Sequence, residues 1–255
     1  MISMHGQSNT EGIVPHAWLG NHLKREFKNV YIFFNSAESV GGGVWQKLQV
    51  GVNNQRSTAA AGSDRLQWFG AEIAIADRFE TYHPNDELYI IKYGVGSTSV
   101  AIQAGLDWNA SNTGESLDIA IDNYHIPGRA AMPGSYTDLG MIWMQGEQDA
   151  TNDTDSAVAT FRTNTLNTLA DFRTRLSLSS WKIYICRLNS AIARDATRLA
   201  NVRTAQGTSA GNLTDTGTNP NNTHVDTDIY SIVPGDTVHF LQFNFGVSLY
   251  SAIGL

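Results

Sequence analysis

Charge is scarce in this chain. Only 16% of its 255 residues are Asp, Glu, Lys or Arg, and the 17 basic residues are outnumbered by 24 acidic ones. A net charge of −7 with no basic stripe excludes a nucleic-acid grip, which needs clustered cations to displace counterions. Cysteine is nearly absent. The single Cys186, in the apolar run WKIYIC, has no partner for an internal disulfide and reads as a buried thiol. No apolar run approaches the roughly 20 residues that span a bilayer, so no membrane partner is expected. A signal-peptide pattern is missing too, since Met1 leads straight into sequence that reads as folded. That leaves the compartment open, with secreted and virion-associated settings both included. No Pro/Gly/Ser-rich linker separates regions of different composition, so a single domain over residues 1–255 is expected.

What is present is an alternation of two periodicities. Short β-branched or aromatic runs occur at 2–5, 30–34, 88–93, 139–144 and 181–188. Helical patterns occupy 71–82, 155–176, 191–206 and 241–253. In 155–176, Val158, Phe161, Leu166, Leu169 and Phe172 recur at the spacing of one helix face. Strands separated by helices predict βαβ units and a parallel sheet covered on both faces. Such sheets hold their ligands beyond the carboxyl ends of the strands. Three runs end in polar, glycine-punctuated turns: Gly6-Gln7-Ser8-Asn9, Gly94-Val95-Gly96-Ser97-Thr98-Ser99 and Gln145-Gly146-Glu147-Gln148-Asp149. All three turns are predicted to meet at one edge.

A serine nucleophile needs a base, and the base an orienting acid. Among the histidines, His5 lies within the first strand and is expected in the core. His16, His22, His83 and His125 are expected at the solvated surface. His224, in NTHVDTD, fits no strong metal-ligand spacing and is expected in a solvated loop. His239 differs, because Asp236 precedes it by three residues in PGDTVHF. In a turn or incipient helix those two side chains project to the same side. Asp236 then either orients the imidazole or caps the helix that follows. A rival nucleophile, Ser209 in Gly207-Thr208-Ser209-Ala210-Gly211, has the G-x-S-x-G pattern but follows a helical segment. The nucleophile elbow requires a strand there, so this stretch reads as a helix exit.

GQSN at the start, FGAE at 69–72, GSTS at 96–99, WMQGEQD at 143–149 and DTVHF at 236–240 occur in this order. Together they resemble the SGNH hydrolase superfamily, in the branch of sialate O-acetylesterases and acetylxylan esterases (carbohydrate esterase family six). The resemblance covers nearly the whole chain. It implies a three-layer α/β/α sandwich with a five-stranded parallel sheet, flavodoxin-like. Ser8 matches the nucleophile, His239 the base and Asp236 its orienting acid. An oxyanion hole is implied from the Ser8 N–H, the Gly96 N–H and the Gln145 side-chain amide. Where the family shows two adjacent glycines this chain has Gly96-Ser97, so Gly96 or its neighbour supplies that N–H. Glu147 is expected to support the site rather than to react. No metal or cofactor is implied. The implied substrate is an acetylated carbohydrate, removed of its acetyl group through an acyl-enzyme. Trp45 and Trp108, in polar loop sequence, either stack on the sugar or anchor their loops. Two other functions share these features: a glycan-binding module of a phage tail or surface assembly, and a lipase or thioesterase. The polar loops argue against a long acyl chain.

Overall fold

The computed structural model describes residues 1–35, 37–54, 68–151, 155–230, 239 and 242–255. Strand β1 (Ile2–Gly6) runs into a one-turn helix α1 (Ser8–Glu11), followed by β2 (Val14–Pro15), β3 (Glu26–Phe34), β4 (Val44–Gln49) and β5 (Trp68–Phe69). Helix α2 (Ala71–Tyr82) leads to β6 (Leu88–Gly94), and α3 (Ser116–Asp118) continues through a π-helical segment, Ile119–His125, into α4 (Ile126–Ala130). Then come β7 (Met141–Met144), α5 (Asp155–Arg175), β8 (Ile183–Cys186), α6 (Ala196–Ala205), β9 (Asn222–Val225) and α7 (Gln242–Ala252).

The main sheet has seven strands in the order β4-β3-β6-β1-β7-β8-β9. The five strands expected from sequence are its inner members β3, β6, β1, β7 and β8, all parallel. Two edge strands correct the expected count. β4 pairs antiparallel with β3, and β9 pairs parallel with β8. Each has only one neighbour in the sheet, so it carries polar residues (Gln46, Lys47, Gln49; Asn222, Thr223, His224) and lacks an apolar run. His224 therefore stands on an edge strand, half-buried, and not in a loop.

Every residue of β1 is buried, because it lies mid-sheet between β6 and β7. Ile2 and Met4 join the core under α2 and α7, with Ile73, Phe79, Phe245 and Leu249. The opposite face holds Tyr93, Trp143, Phe161, Leu169, Phe172 and Ile183. Helices α2 and α7 touch where Gly246 meets α2: a Cβ there would lie 2.4 Å from the Ala71 carbonyl oxygen. This close packing fixes α7, and His239 lies three residues ahead of it. The chain leaves β1 toward β3 and later crosses to β7 on its other side. A crevice forms at such a switch point, beyond the carboxyl ends of the strands.

His5 and His125 face each other inside the second core, ring centroids 4.9 Å apart, both fully buried. The surface position expected for His125 is thus corrected; the π-helical segment turns it inward against Phe172 and Trp181. Burial holds the His5 imidazole down at about 3, and burial with the neighbouring His5 holds His125 well below its usual range. Both are neutral in the fold. As pH falls from ~6.5, the unfolded chain takes up protons that the folded one refuses, so stability drains away down to about pH 3. Asp149 acts in the opposite sense. Burial raises its carboxyl to about 7, a contribution present at low pH and lost as pH rises from about 4 to 7. His5→Phe separates the two. In urea unfolding at pH 7 and pH 4, its acid-induced loss is expected to be smaller than that of the wild type by about 3 kcal/mol.

Candidate active site

Ser8 begins α1 immediately beyond β1. The turn is tight. Gly6 has φ 140°, and a Cβ on it would stand 1.8 Å from the Met144 carbonyl oxygen. Only glycine lets β1 end this close to β7. The Thr10 and Glu11 amides donate to the Gln7 carbonyl at 2.8 and 2.9 Å, closing the helical turn. The Ser8 N–H donates to no acceptor among the described residues, as expected of a first-turn amide.

The Ser8 hydroxyl and His239 Nε2 are hydrogen-bonded at 2.8 Å, across 231 residues of sequence. Both line a cavity of about 230 Å³ with Gln7, Glu11, Ile13, Trp68, Gly96, Ser97, Glu147, Gln148 and Arg194. Asp236 lies outside the described residues. Glu147 is 2% exposed and receives the side-chain amides of Asn9, at 2.5 Å, and Gln7. Burial pushes its carboxyl up, against the pull of the Asn9 hydrogen bond and the charge of nearby His239. Asp149 receives the Val100 and Ala101 amides at 3.2 and 3.3 Å, tying the turn after β7 to the loop after β6.

Several expected residues fall elsewhere. Gln145 is fully buried and absent from the cavity wall. It follows the strand parity of Met141 and Trp143 toward the core under α5, and its Oε1 accepts the Gly146 N–H at 2.7 Å. Gln148, not Gln145, is among the residues that line the cavity. Gly96 does line the cavity, but its N–H already donates to Glu11 Oε2 at 3.1 Å. Trp108 is fully buried, its indole N–H on Thr98 Oγ1 at 3.0 Å and its ring against Tyr93 and Trp143. It anchors a loop and offers no face to a sugar. Trp45 donates to the Gly128 carbonyl at 3.0 Å and packs edge-on against Phe33 and Tyr89, securing β4. The aromatic residue at the cavity is Trp68, half-buried at the start of β5.

Arg194 is the residue that sequence reasoning passed over. It sits on the turn after β8, held on one side by buried Ile192 and on the other by Asp195, which caps α6 through the Arg198 N–H at 2.9 Å. Its guanidinium donates to the Ala193 carbonyl at 3.2 Å, its Nε is buried with no acceptor, and no carboxylate among the described residues pairs with it. Arg175, by contrast, is ringed by Asp118, Asp122 and Asp171. The available signal was position: Arg194 follows the carboxyl end of an inner strand. Among the described residues no group of three or more His, Cys, Asp or Glu is placed to hold a metal. No helix there is long and apolar enough to cross a membrane.

A serine and a histidine are thus joined at the carboxyl edge of a mostly parallel sheet in a three-layer α/β/α fold. Residues 2–242 match the family described as carbohydrate esterase, sialic acid-specific acetylesterase, and the chain belongs to that family. Similar solved structures include a protein of Arabidopsis thaliana (16% identity, TM-score 0.71, covering 99% of this chain and 96% of that one). A carbohydrate acetylesterase of Xanthomonas citri is 17% identical with TM-score 0.63, covering 98% of this chain and 55% of its own. NanS is 13% identical with TM-score 0.64, covering 99% and 95%. At these identities the likeness speaks to the fold. No curated protein matches by sequence.

Proposed function

We infer that the protein is a serine esterase that removes O-acetyl groups from carbohydrate. The observation that carries this reading is the 2.8 Å hydrogen bond between the Ser8 hydroxyl and His239 Nε2 in a solvent-open cavity. His239 takes the hydroxyl proton as Oγ attacks the acetyl carbonyl. It returns the proton to the departing sugar oxygen, then activates water to clear the acetyl-enzyme. Asp236 orients the imidazole, a role that rests on its spacing and on the family motif. The Ser8 N–H and the Gly96–Ser97 turn face the developing oxyanion. Trp68 supplies an apolar face to the sugar, and Gln148 a polar contact.

Arg194 narrows the substrate. Its guanidinium has no acidic partner among the described residues and suits a sugar that carries its own carboxylate, in keeping with the family's description. A cavity of only about 230 Å³ disfavours a long acyl chain, and the joined Ser8 and His239 disfavour a module that only binds. Acetate release from O-acetylated acidic and neutral sugars, beside a chain-length series of 4-nitrophenyl esters, tests the reading. Acetyl is expected to be the preferred acyl group and the acidic sugar the preferred carrier. Arg194→Met is expected to raise KM for the acidic sugar roughly tenfold or more while sparing the neutral one. Preference for octanoyl over acetyl esters contradicts the assignment.

A further inference from the structure

Glu11 has no part in the chemistry described above, yet it sits inside the site. It is 4% exposed, lines the cavity, and lies one helical turn beyond Ser8. A Cβ built on Gly96 would stand 3.5 Å from both Glu11 Oε2 and Ser8 Cβ, so nucleophile, carboxylate and turn converge at one point.

The turn after β6 is pinned at each residue. The Val95 N–H donates to the Gly6 carbonyl at 3.1 Å, and the Gly96 N–H to Glu11 Oε2 at 3.1 Å. The Ser97 carbonyl accepts Gln103 Nε2 at 3.0 Å, and the Thr98 hydroxyl donates to the Val95 carbonyl at 2.7 Å. Ser97 is left at φ 60°, a left-handed backbone unusual for a residue with a Cβ. Its own N–H has no acceptor among the described residues. Successive N–H groups in such a turn form a concavity that attracts anionic oxygen. One of these N–H groups is already spent on Glu11, and the next belongs to Ser97, which lines the cavity.

Resting on the esterase reading, we propose that Glu11 is a positioning residue: by holding the Gly96 N–H it fixes the strained turn so that the Ser97 N–H, beside that of Ser8, receives the oxyanion. The acceptor oxygen is what matters, and the negative charge is dispensable. A glutamine keeps the acceptor, whereas alanine and methionine remove it, methionine with the bulk retained.

The test compares Glu11→Gln, Glu11→Ala and Glu11→Met with the wild type on 4-nitrophenyl acetate, together with hydrogen exchange at the Gly96 amide. Ala and Met are expected to lower kcat between about ten- and a hundredfold with KM little changed, a fraction of what loss of a whole oxyanion donor costs. In both, the Gly96 amide is expected to exchange faster. Gln is expected to keep kcat and Gly96 protection near the wild-type values. Methionine keeps the question answerable if alanine does not fold. Wild-type kcat in Ala or Met overturns the inference. So does a Gln variant as slow as Ala, because the charge would then be the active element. A wild type with no ester turnover at all fails the esterase reading instead, and Gly96 exchange still reports whether Glu11 holds the turn.

Discussion

Ser8→Ala is expected to lower kcat on acetyl esters by about 10⁶-fold where the nucleophile is indispensable, with KM little changed. The size follows from the mechanism. Without Oγ no acyl-enzyme forms, and the His239 imidazole has no hydroxyl to deprotonate at 2.8 Å. What remains is water attack assisted by the oxyanion donors. His239→Ala is expected to cost a similar amount, and the double variant no more than either single one, because the two groups act as a unit. The measurement is hydrolysis of 4-nitrophenyl acetate by purified variants whose circular dichroism matches the wild type. A Ser8→Ala protein that retains more than a tenth of the wild-type rate ends the esterase reading.

Lys92→Met is expected to cost about 3–5 kcal/mol of stability, the usual result of leaving a buried charge without its partner. Lys92 Nζ meets Glu72 Oε2 at 2.8 Å, with side-chain exposures of 4% and 0%. The pair is further saturated: Lys92 donates to the Asn54 carbonyl at 2.9 Å, and Glu72 Oε1 accepts the Gly70 N–H at 3.0 Å. In a chain of 255 residues that loss corresponds to a fall in thermal midpoint of roughly 10 °C. Lys92→Met combined with Glu72→Leu is expected to recover much of it, since an apolar pair of similar volume often matches a buried ion pair. The same variants report on the site. Asn54 Nδ2 donates to the Trp68 carbonyl at 2.8 Å, so loosening this knot displaces the aromatic wall of the cavity. Lys92→Met at a temperature where it remains folded is expected to show a higher KM for sugar esters.

The inner sheet was legible because strands buried on both faces must be apolar throughout, and such runs stand out against turns. The edge strands β4 and β9 were hidden by the polar residues that an edge tolerates. The turns after β1, β6 and β7 were legible as site material because their glycines and amides follow apolar runs directly. Which side chain of a turn faces the cavity was not legible, since strand parity and one glycine torsion decide it. Gln145 was expected there, but Gly146 at φ 131° follows it, and Gln148 is the amide on the wall. The loop around Trp108 left two readings open for another reason. Its polar neighbours suggest a solvated surface, yet Asp107 and Asn109 use their side chains to accept the Asn109 and Ser111 amides at 2.9 Å each. They build turns that fold the indole inward.

Because β1 lies mid-sheet, its partners β6 and β7 are separated from it by 88 and 138 positions at paired residues such as Ile2 with Ile90 and Ser3 with Met141. Once synthesised, β1 must therefore wait, apolar and unpaired, for neighbours made much later. Non-local pairing of this kind slows folding and prolongs exposure of sticky segments. Chaperone dependence and inclusion-body formation during rapid overproduction are natural outcomes of that wait. A nascent chain halted before residue 239 carries Ser8 without the imidazole that meets it in the fold.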